Sequence, residues 1–404
     1  MRSSFADLYH AGGNMKIIVG GTGYPEKRNI LTDGLHDYLD YRLRNVWTWA
    51  NAVRQRLLRR NKLFIFRPFP FFSSDDADII HLFNEVATGA GSWVATFETE
   101  LPRVLPIRGI DKFTNPELSR ELRHVSSPGC RGIIAISEAT RQIQLQLLEH
   151  FPAERAAILP KLHVLHPPQP VLQERIAKTV GGPLTFTFVG NEFYRKGGAE
   201  VVLAFSQLLR EGALSANDVR VNIVGDTSRT HNVAHGNFQD DATFRGSIEK
   251  ALRETPVFQP FTSLANNAVL QLIRSTDIGL LPTWQDTYGF SVLEMQACAC
   301  PVITTNIRAL PEINPDEAGW MIRCPLNGSF ELSVKSEEEK QRLRISMVEQ
   351  LKRIIMDIMK NRAQLESKSA GSLRRIRAEH DPRLFQQRLN AVYRGEKMPE
   401  PTRK

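Results

Sequence analysis

Cysteine is scarce, with four in 404 residues. Cys130 and Cys324 stand alone, and Cys298 and Cys300 are one residue apart, so no pair has zinc-ligand spacing and no disulfide framework is expected. Buried, unreactive thiols are the reading for all four. Long apolar runs are missing too. No stretch approaches the roughly 20 uncharged apolar residues that a spanning helix needs. Met1–Asn14 lacks the basic-then-apolar order of a secretion signal. These absences point to a cytoplasmic protein.

A third absence is local. Between Asp40 and Asp75 there is no acidic residue, while Arg42, Arg44, Arg54, Arg56, Arg59, Arg60, Lys62 and Arg67 all fall there. This stretch carries much of the net charge of +8. Trp47, Trp49, Val53, Leu57 and Leu58 are interleaved at helix-compatible spacing. Two readings stay open. The Arg42–Arg67 segment is a basic helix lying on an anionic membrane surface at the inner face of the cell membrane, or a solvated helix whose apolar stripe packs on its own domain. No nucleic-acid recognition module is recognisable, so nucleic acid is not expected as a partner.

Elsewhere the composition is that of an ordinary globular chain, and the length suits two domains better than one. Strand-like runs before residue 170 are Lys16–Val19, Leu63–Phe66, Asp78–Phe83, Trp93–Phe97, Gly132–Ile136 and Leu162–Leu165. After it come Leu184–Val189, Val219–Val224, Val257–Pro260, Asp277–Leu281, Val302–Thr305 and Trp320–Ile322. They alternate with helical patterns, which predicts α/β architecture: two Rossmann-like, doubly wound parallel-sheet domains. The Pro- and Gly-bearing segment His166–Pro183 reads as the linker. Expected domains are therefore 1–170 and 171–380, followed by a C-terminal helix and tail over 381–404 that crosses back to the first domain. Such sheets bind ligands at the carboxyl ends of their strands.

Two stretches carry chemistry. In the first, Gly190-Asn-Glu-Phe-Tyr-Arg195-Lys196-Gly197-Gly198 follows a strand and opens a helical run. Arg195 and Lys196 can neutralise a diphosphate, and the glycines let backbone amides approach it. A structural turn with solvent-facing cations would look similar. In the second, Asp277-Ile-Gly-Leu-Leu-Pro282 is a strand, a polar loop follows with Asp286, and Tyr288-Gly289-Phe290-Ser291 opens a helix bearing Glu294. Amides after Gly289 form a helix N-terminus suited to a phosphate, and the Glu294 carboxylate can accept bonds from two sugar hydroxyls.

The second stretch resembles the donor signature of glycosyltransferase family 4, a GT-B family of retaining, nucleotide-sugar-dependent enzymes. Asp286, Gly289 and Glu294 fall at the places of the acid, the glycine and the glutamate of that signature. Gly190–Gly198 resembles the family's phosphate turn, with Lys196 at its lysine. Val257–Phe261 takes the place of the loop that holds the nucleobase, giving Phe258 and Pro260 as donor contacts. The likeness runs from about 184 to 325, with two departures. The first signature acid is usually glutamate, and the residue after the first glycine of the turn is usually arginine rather than Asn191, so Arg195 is the substitute cation. The resemblance implies no cofactor and a nucleoside-diphosphate sugar, UDP or GDP, as donor. Lys196, Arg195, Asp286 and Glu294 would carry the chemistry. Gly190, Gly197, Phe258, Pro260, Tyr288, Gly289, Phe290, Ser291 and Glu294 would hold the donor. The acceptor is expected to be a glycan or lipid-linked glycan of cell-envelope or polysaccharide synthesis.

Before residue 130 the likeness is weaker. Gly20-Gly21-Thr-Gly23 is either a plain turn or a loop approaching the donor, and Glu98 and Glu100 are acceptor candidates or salt-bridged loop carboxylates. Ser137 reads as a helix cap. Asp76-Ala-Asp78 matches a metal pattern but reads as a turn before a strand, and no metal site is expected. The alternatives to a transferase are a non-catalytic sugar-nucleotide-binding GT-B protein, or a phosphorylase or epimerase on the same scaffold.

Overall fold

The β-branched runs form parallel strands whose side chains alternate between two covered faces. The structure is a computed structural model that describes residues 14–31, 36–70, 77–89, 91–107, 109–174 and 182–399. The chain divides into two compact units, the first reaching Pro168 and resuming at Pro382, the second running Gln169–Asp381.

The first unit runs β1 (Lys16–Val19), α1 (Tyr24–Asn29), β2 (Asp37–Asp40), α2 (Val46–Arg56), β3 (Ile65–Phe66), β4 (Ile79–Phe83) and β5 (Val86–Ala87). It continues with β6 (Trp93–Phe97), α3 (Pro116–Ser126), β7 (Cys130–Ala135), α4 (Glu138–Glu149), α5 (Pro152–Ile158) and β8 (Leu162–Val164). Six strands form a parallel sheet in the order β2-β1-β4-β6-β7-β8, and β3 pairs with β5 apart from it. Along β1, Ile17 and Val19 join one apolar cluster and Ile18 the other, the period-two pattern of a strand buried on both sides.

The second unit runs β9 (Leu184–Glu192), α6 (Gly198–Arg210), β10 (Val219–Asp226), α7 (Ala242–Glu254), β11 (Phe258–Phe261), α8 (Asn266–Arg274) and β12 (Ile278–Leu281). Then come α9 (Phe290–Ala297), β13 (Val302–Thr305), α10 (Leu310–Ile313), β14 (Gly319–Ile322), α11 (Glu337–Lys360) and α12 (Gln364–Glu379). Its sheet has the order β11-β10-β9-β12-β13-β14, all parallel. The last helix, α13 (Pro382–Arg394), belongs to the first unit. There Phe385, Leu389, Val392 and Tyr393 pack with Ile17, Val19, Ile79, Val94 and Ile134. The Tyr393 hydroxyl also meets His81 Nδ1 at 2.7 Å, while His81 Nε2 meets Thr96 Oγ1 at 2.8 Å. Burial pushes the His81 imidazole down to about 3, so this contact is made by a neutral ring.

All four cysteines are buried thiols outside any disulfide. Asp78 accepts the Lys16 amide through Oδ2 at 2.8 Å, so its carboxylate closes the start of β1; Asp76 lies outside the described residues. Ser137 caps α4, accepting the Thr140 amide at 3.0 Å.

A buried ion cluster joins α11 to α6 and to the loop before α7. Arg344 donates through Nη1 and Nη2 to the two carboxylate oxygens of Asp240 at 2.9 and 2.8 Å, and through Nε to Glu200 at 2.9 Å. Lys340 adds a contact to Asp240 at 3.3 Å. Burial pushes the Glu200 carboxyl up despite its arginine. Asp240 is also raised by burial, but its two-pronged arginine contact outweighs that and holds it below the usual range. His235, beside Asp240, is pushed down to about 4, chiefly by burial.

Removing one member strands the others in a dry interior. Arg344→Met is expected to destabilise the second unit by about 3–5 kcal/mol in urea denaturation. Adding Glu200→Gln should recover part of that loss, and a strictly additive double variant would show that the charges do not act on one another.

Candidate active site

In both sheets the chain reverses its direction of strand addition once. In the second unit that switch lies between β9 and β12, and in the first between β1 and β4. Loops at the carboxyl ends of two such strands diverge and leave a crevice, the usual ligand site of a doubly wound sheet.

At the switch of the second unit, the turn leaving β9 packs against the end of β12. Gly197 permits this twice over. Its φ of 85° is left-handed, and a Cβ there would run into the Pro282 carbonyl. Gly190 makes room for the Lys196 stem, since a Cβ on it would lie 2.5 Å from Lys196 Cβ. The two loops are pinned by the buried Thr283. Its hydroxyl lies 3.1 Å from the Arg195 carbonyl and 2.8 Å from that of Gln285, while the Trp284 amide donates to the Arg195 carbonyl at 3.0 Å.

Lys196 Nζ reaches Asp286 Oδ2 at 2.5 Å and the Gln285 carbonyl at 3.4 Å. The other Asp286 oxygen, Oδ1, accepts the amides of Tyr288 and Gly289 at 3.2 and 3.0 Å. Burial raises the Asp286 carboxyl, but the Lys196 ammonium, its hydrogen bond and the Tyr288 amide outweigh this and hold it below the ordinary range. Arg195 pairs with Glu192 and donates Nη1 to the Gln285 carbonyl at 3.1 Å. That bond to Arg195, more than any other influence, lowers the Glu192 carboxyl. Two cations thus stand on one turn, each held by a carboxylate.

Gly289, with φ of 91°, forms the N-cap of α9, and a Cβ there would come within 2.6 Å of Leu310 Cδ2. Phe290, Ser291 and Glu294 follow on α9, each half-buried, and the negative charge of Glu294 reaches Cys298 one turn on. Tyr288 is buried, with its ring 5.2 Å from that of Phe290. Phe258 and Pro260 lie in β11, the edge strand, where Phe258 is buried and Pro260 exposed.

In the first unit, Glu98 is bonded to Arg103 at 3.1 Å and to Asn84 at 3.2 Å, and the buried Glu100 pairs with Lys112. Both sit in salt bridges. Gly21 is buried beside Glu26. The switch between β1 and β4 instead presents Glu85, which the sequence reading did not single out. Its Oε2 lies 3.0 Å from where a Cβ on Gly20 would stand, and Lys62 approaches its Oε1 at 3.8 Å. Burial pushes the Glu85 carboxyl up to about 7; Lys62 opposes this and Glu26 adds to it. The signal available in sequence was only its place two residues after a buried strand.

Residues 183–329 match the sequence model of the family described as Glycosyl transferases group 1. That segment spans both loops at the switch of the second unit and the start of α9. With the fold, the match supports a glycosyltransferase enzyme of the GT-B superfamily. Among solved structures, the chain is similar to a sucrose-phosphate synthase from Thermosynechococcus elongatus, with 13% identity and a TM-score of 0.56 over 96% of this chain and 90% of that one. It is also similar to a UDP-forming α,α-trehalose-phosphate synthase from Burkholderia xenovorans, with 13% identity and a TM-score of 0.57 over 95% and 99%. A third is HepE from Anabaena, solved with UDP and glucose, with 11% identity and a TM-score of 0.54 over 94% and 99%. At these identities the likeness is one of fold, two parallel-sheet domains of the GT-B type. No curated protein sequence matches.

A carboxyl titrating near 7 in the folded state and near 4.3 when unfolded costs the wild type stability as pH rises through that window. Glu85→Gln should therefore melt about 2–5 °C higher than wild type above pH 7. The gap should close as pH falls towards about 4.3. A gap independent of pH would place Glu85 at an ordinary pKa.

Proposed function

We propose that the chain is a retaining glycosyltransferase of family 4 type, cytoplasmic, moving a sugar from a UDP- or GDP-sugar to a hydroxyl of a glycan or lipid-linked glycan. The observation that carries this reading is the Lys196–Asp286 pair at 2.5 Å, set at the sheet's switch point beside the start of α9. A departing diphosphate gains negative charge as the glycosidic bond loosens. Lys196, Arg195 and the amides that open α9 supply fixed positive charge for it. Asp286 holds the Lys196 ammonium and the turn into α9 together, which suits its shorter side chain. Glu294 accepts bonds from the donor's ribose hydroxyls. The acceptor attacks on the face the leaving group vacates, so configuration is kept. On the acceptor side, Glu85 of the first unit is suited by its raised pKa to take a hydrogen bond or a proton from a hydroxyl near neutral pH. The UDP held by the HepE structure favours UDP among the donors.

Calorimetry with UDP-, GDP- and ADP-sugars tests this directly. One nucleotide should bind selectively, and Glu294→Ala should weaken it about 10- to 100-fold by removing charge-assisted hydrogen bonds. Lys196→Ala should lower turnover by about 10²–10³. Binding without transfer or hydrolysis would favour the non-catalytic scaffold, and no binding to any nucleotide would remove the enzyme reading.

A further inference from the structure

Helix α2 turns much of its apolar surface outward. Its one fully buried residue is polar, beside the half-buried Val46, Trp47 and Ala50: Asn51 Nδ2 donates to the Leu63 carbonyl at 2.8 Å, and its Oδ1 accepts the Leu63 amide at 2.9 Å. The capping Asn45 accepts the Trp47 amide at 3.0 Å and donates to the Ile65 carbonyl at 3.2 Å. These bonds fasten the helix to the backbone leading into and along β3. The outward line is apolar. Trp49 is 56% exposed, Val53 50% and Leu57 76%, at i, i+4 and i+8. Leu58 and Leu43 flank the line at 55% and 68%. The Trp49 indole N–H is already bonded to the Leu43 carbonyl at 3.0 Å, so the ring presents only apolar surface to a partner. Other large exposed apolar side chains, such as Leu159, Val233 and Ile345, are scattered along the chain.

The apolar stripe therefore does not pack on its own domain. Around it stand the exposed Arg42, Arg44, Arg56, Arg59 and Arg60, in a stretch with no acidic residue. Arg54 and Lys62 turn instead to Glu117 and Glu85, each at 3.8 Å.

We propose that this face of α2, with the turn that follows it, docks on an anionic phospholipid bilayer. The apolar line enters the boundary between headgroups and acyl chains, and the arginines meet lipid phosphates. Charge complementarity selects this occupant. A second copy of the chain would bring one arginine cluster against another, and a nucleic acid would leave the tryptophan–leucine line without a partner. The proposal goes beyond the donor chemistry and does not depend on it.

The test is co-sedimentation of the full chain with phosphatidylcholine vesicles, with and without phosphatidylglycerol, at low and high salt. Binding should require phosphatidylglycerol and weaken with salt. Two triple variants, Trp49→Ser with Leu57→Ser and Leu58→Ser, and Arg56→Gln with Arg59→Gln and Arg60→Gln, should each lose at least about tenfold in binding. Both should keep the wild-type melting temperature and nucleotide affinity, because the substituted side chains are exposed. Absence of binding to phosphatidylglycerol vesicles at low salt, or full binding by the apolar variant, overturns the proposal. So does self-association through this face without vesicle binding, or heparin binding by charge alone that survives loss of the apolar line.

Discussion

One buried hydroxyl, that of Thr283, sits between carbonyl oxygens that belong to loops about 90 residues apart in the chain. A carbonyl left without a donor in a dry site is costly, and here the Trp284 amide joins the hydroxyl at the Arg195 carbonyl while Arg195 and Lys196 join it at that of Gln285. The arrangement ties the turn holding Arg195 and Lys196 to the loop holding Asp286. Everything proposed for the donor follows from that tie. If the loops separated by an ångström or two, Lys196 would lose Asp286, Asp286 would let go of the amides entering α9, and the helix start would be re-aimed. Thr305 extends the same logic by donating to the Thr283 carbonyl at 2.8 Å, so the neighbouring strand β13 also holds the loop.

Charges in the second unit fall into two regimes. Those around Arg344 are sealed, and each has its opposite within hydrogen-bond distance. Their cost of desolvation is repaid only while the set is complete. At Lys196 and Asp286 the side chains keep about 15% and 14% of their exposure, so solvent or an anion can still compete for the ammonium. The guanidinium of Arg344 also lies 5.7 Å from the centre of the Trp284 ring, one residue from Thr283. The sealed cluster thus stiffens the wall against which the open pair works.

Much of this was legible in the residues. β1, β6 and β13 fall where alternation and β-branching place them, because buried parallel strands leave little room for polar residues. The turn after β9 and the entry to α9 were legible as structure because their glycines, cations and acids are close in sequence. What failed to show depended on pairing. β2, Asp37-Tyr-Leu-Asp40, has an acid at each end and lies at the sheet edge, and β5 has only two residues. Neither has the length or apolarity to stand out. Glu85 gains its raised pKa from burial, with Glu26 adding and Lys62 opposing, and Thr283 its role from Arg195, all contacts that exist only once the sheets close. Trp49 and Leu57 posed the converse difficulty. Their spacing announces a face without saying whether it turns inward.

The return of α13 has a consequence for biosynthesis. Residues 169–381 are one uninterrupted segment, whereas the first unit needs a helix translated after that whole segment to cover Ile17, Ile79 and Val94 and to give His81 its tyrosine. Of the two units, the one whose strands are translated earlier is thus the one whose core closes later. Until Tyr393 emerges, one face of its sheet remains open to chaperones and to aggregation alike, and the segment translated second is free to fold to completion ahead of it.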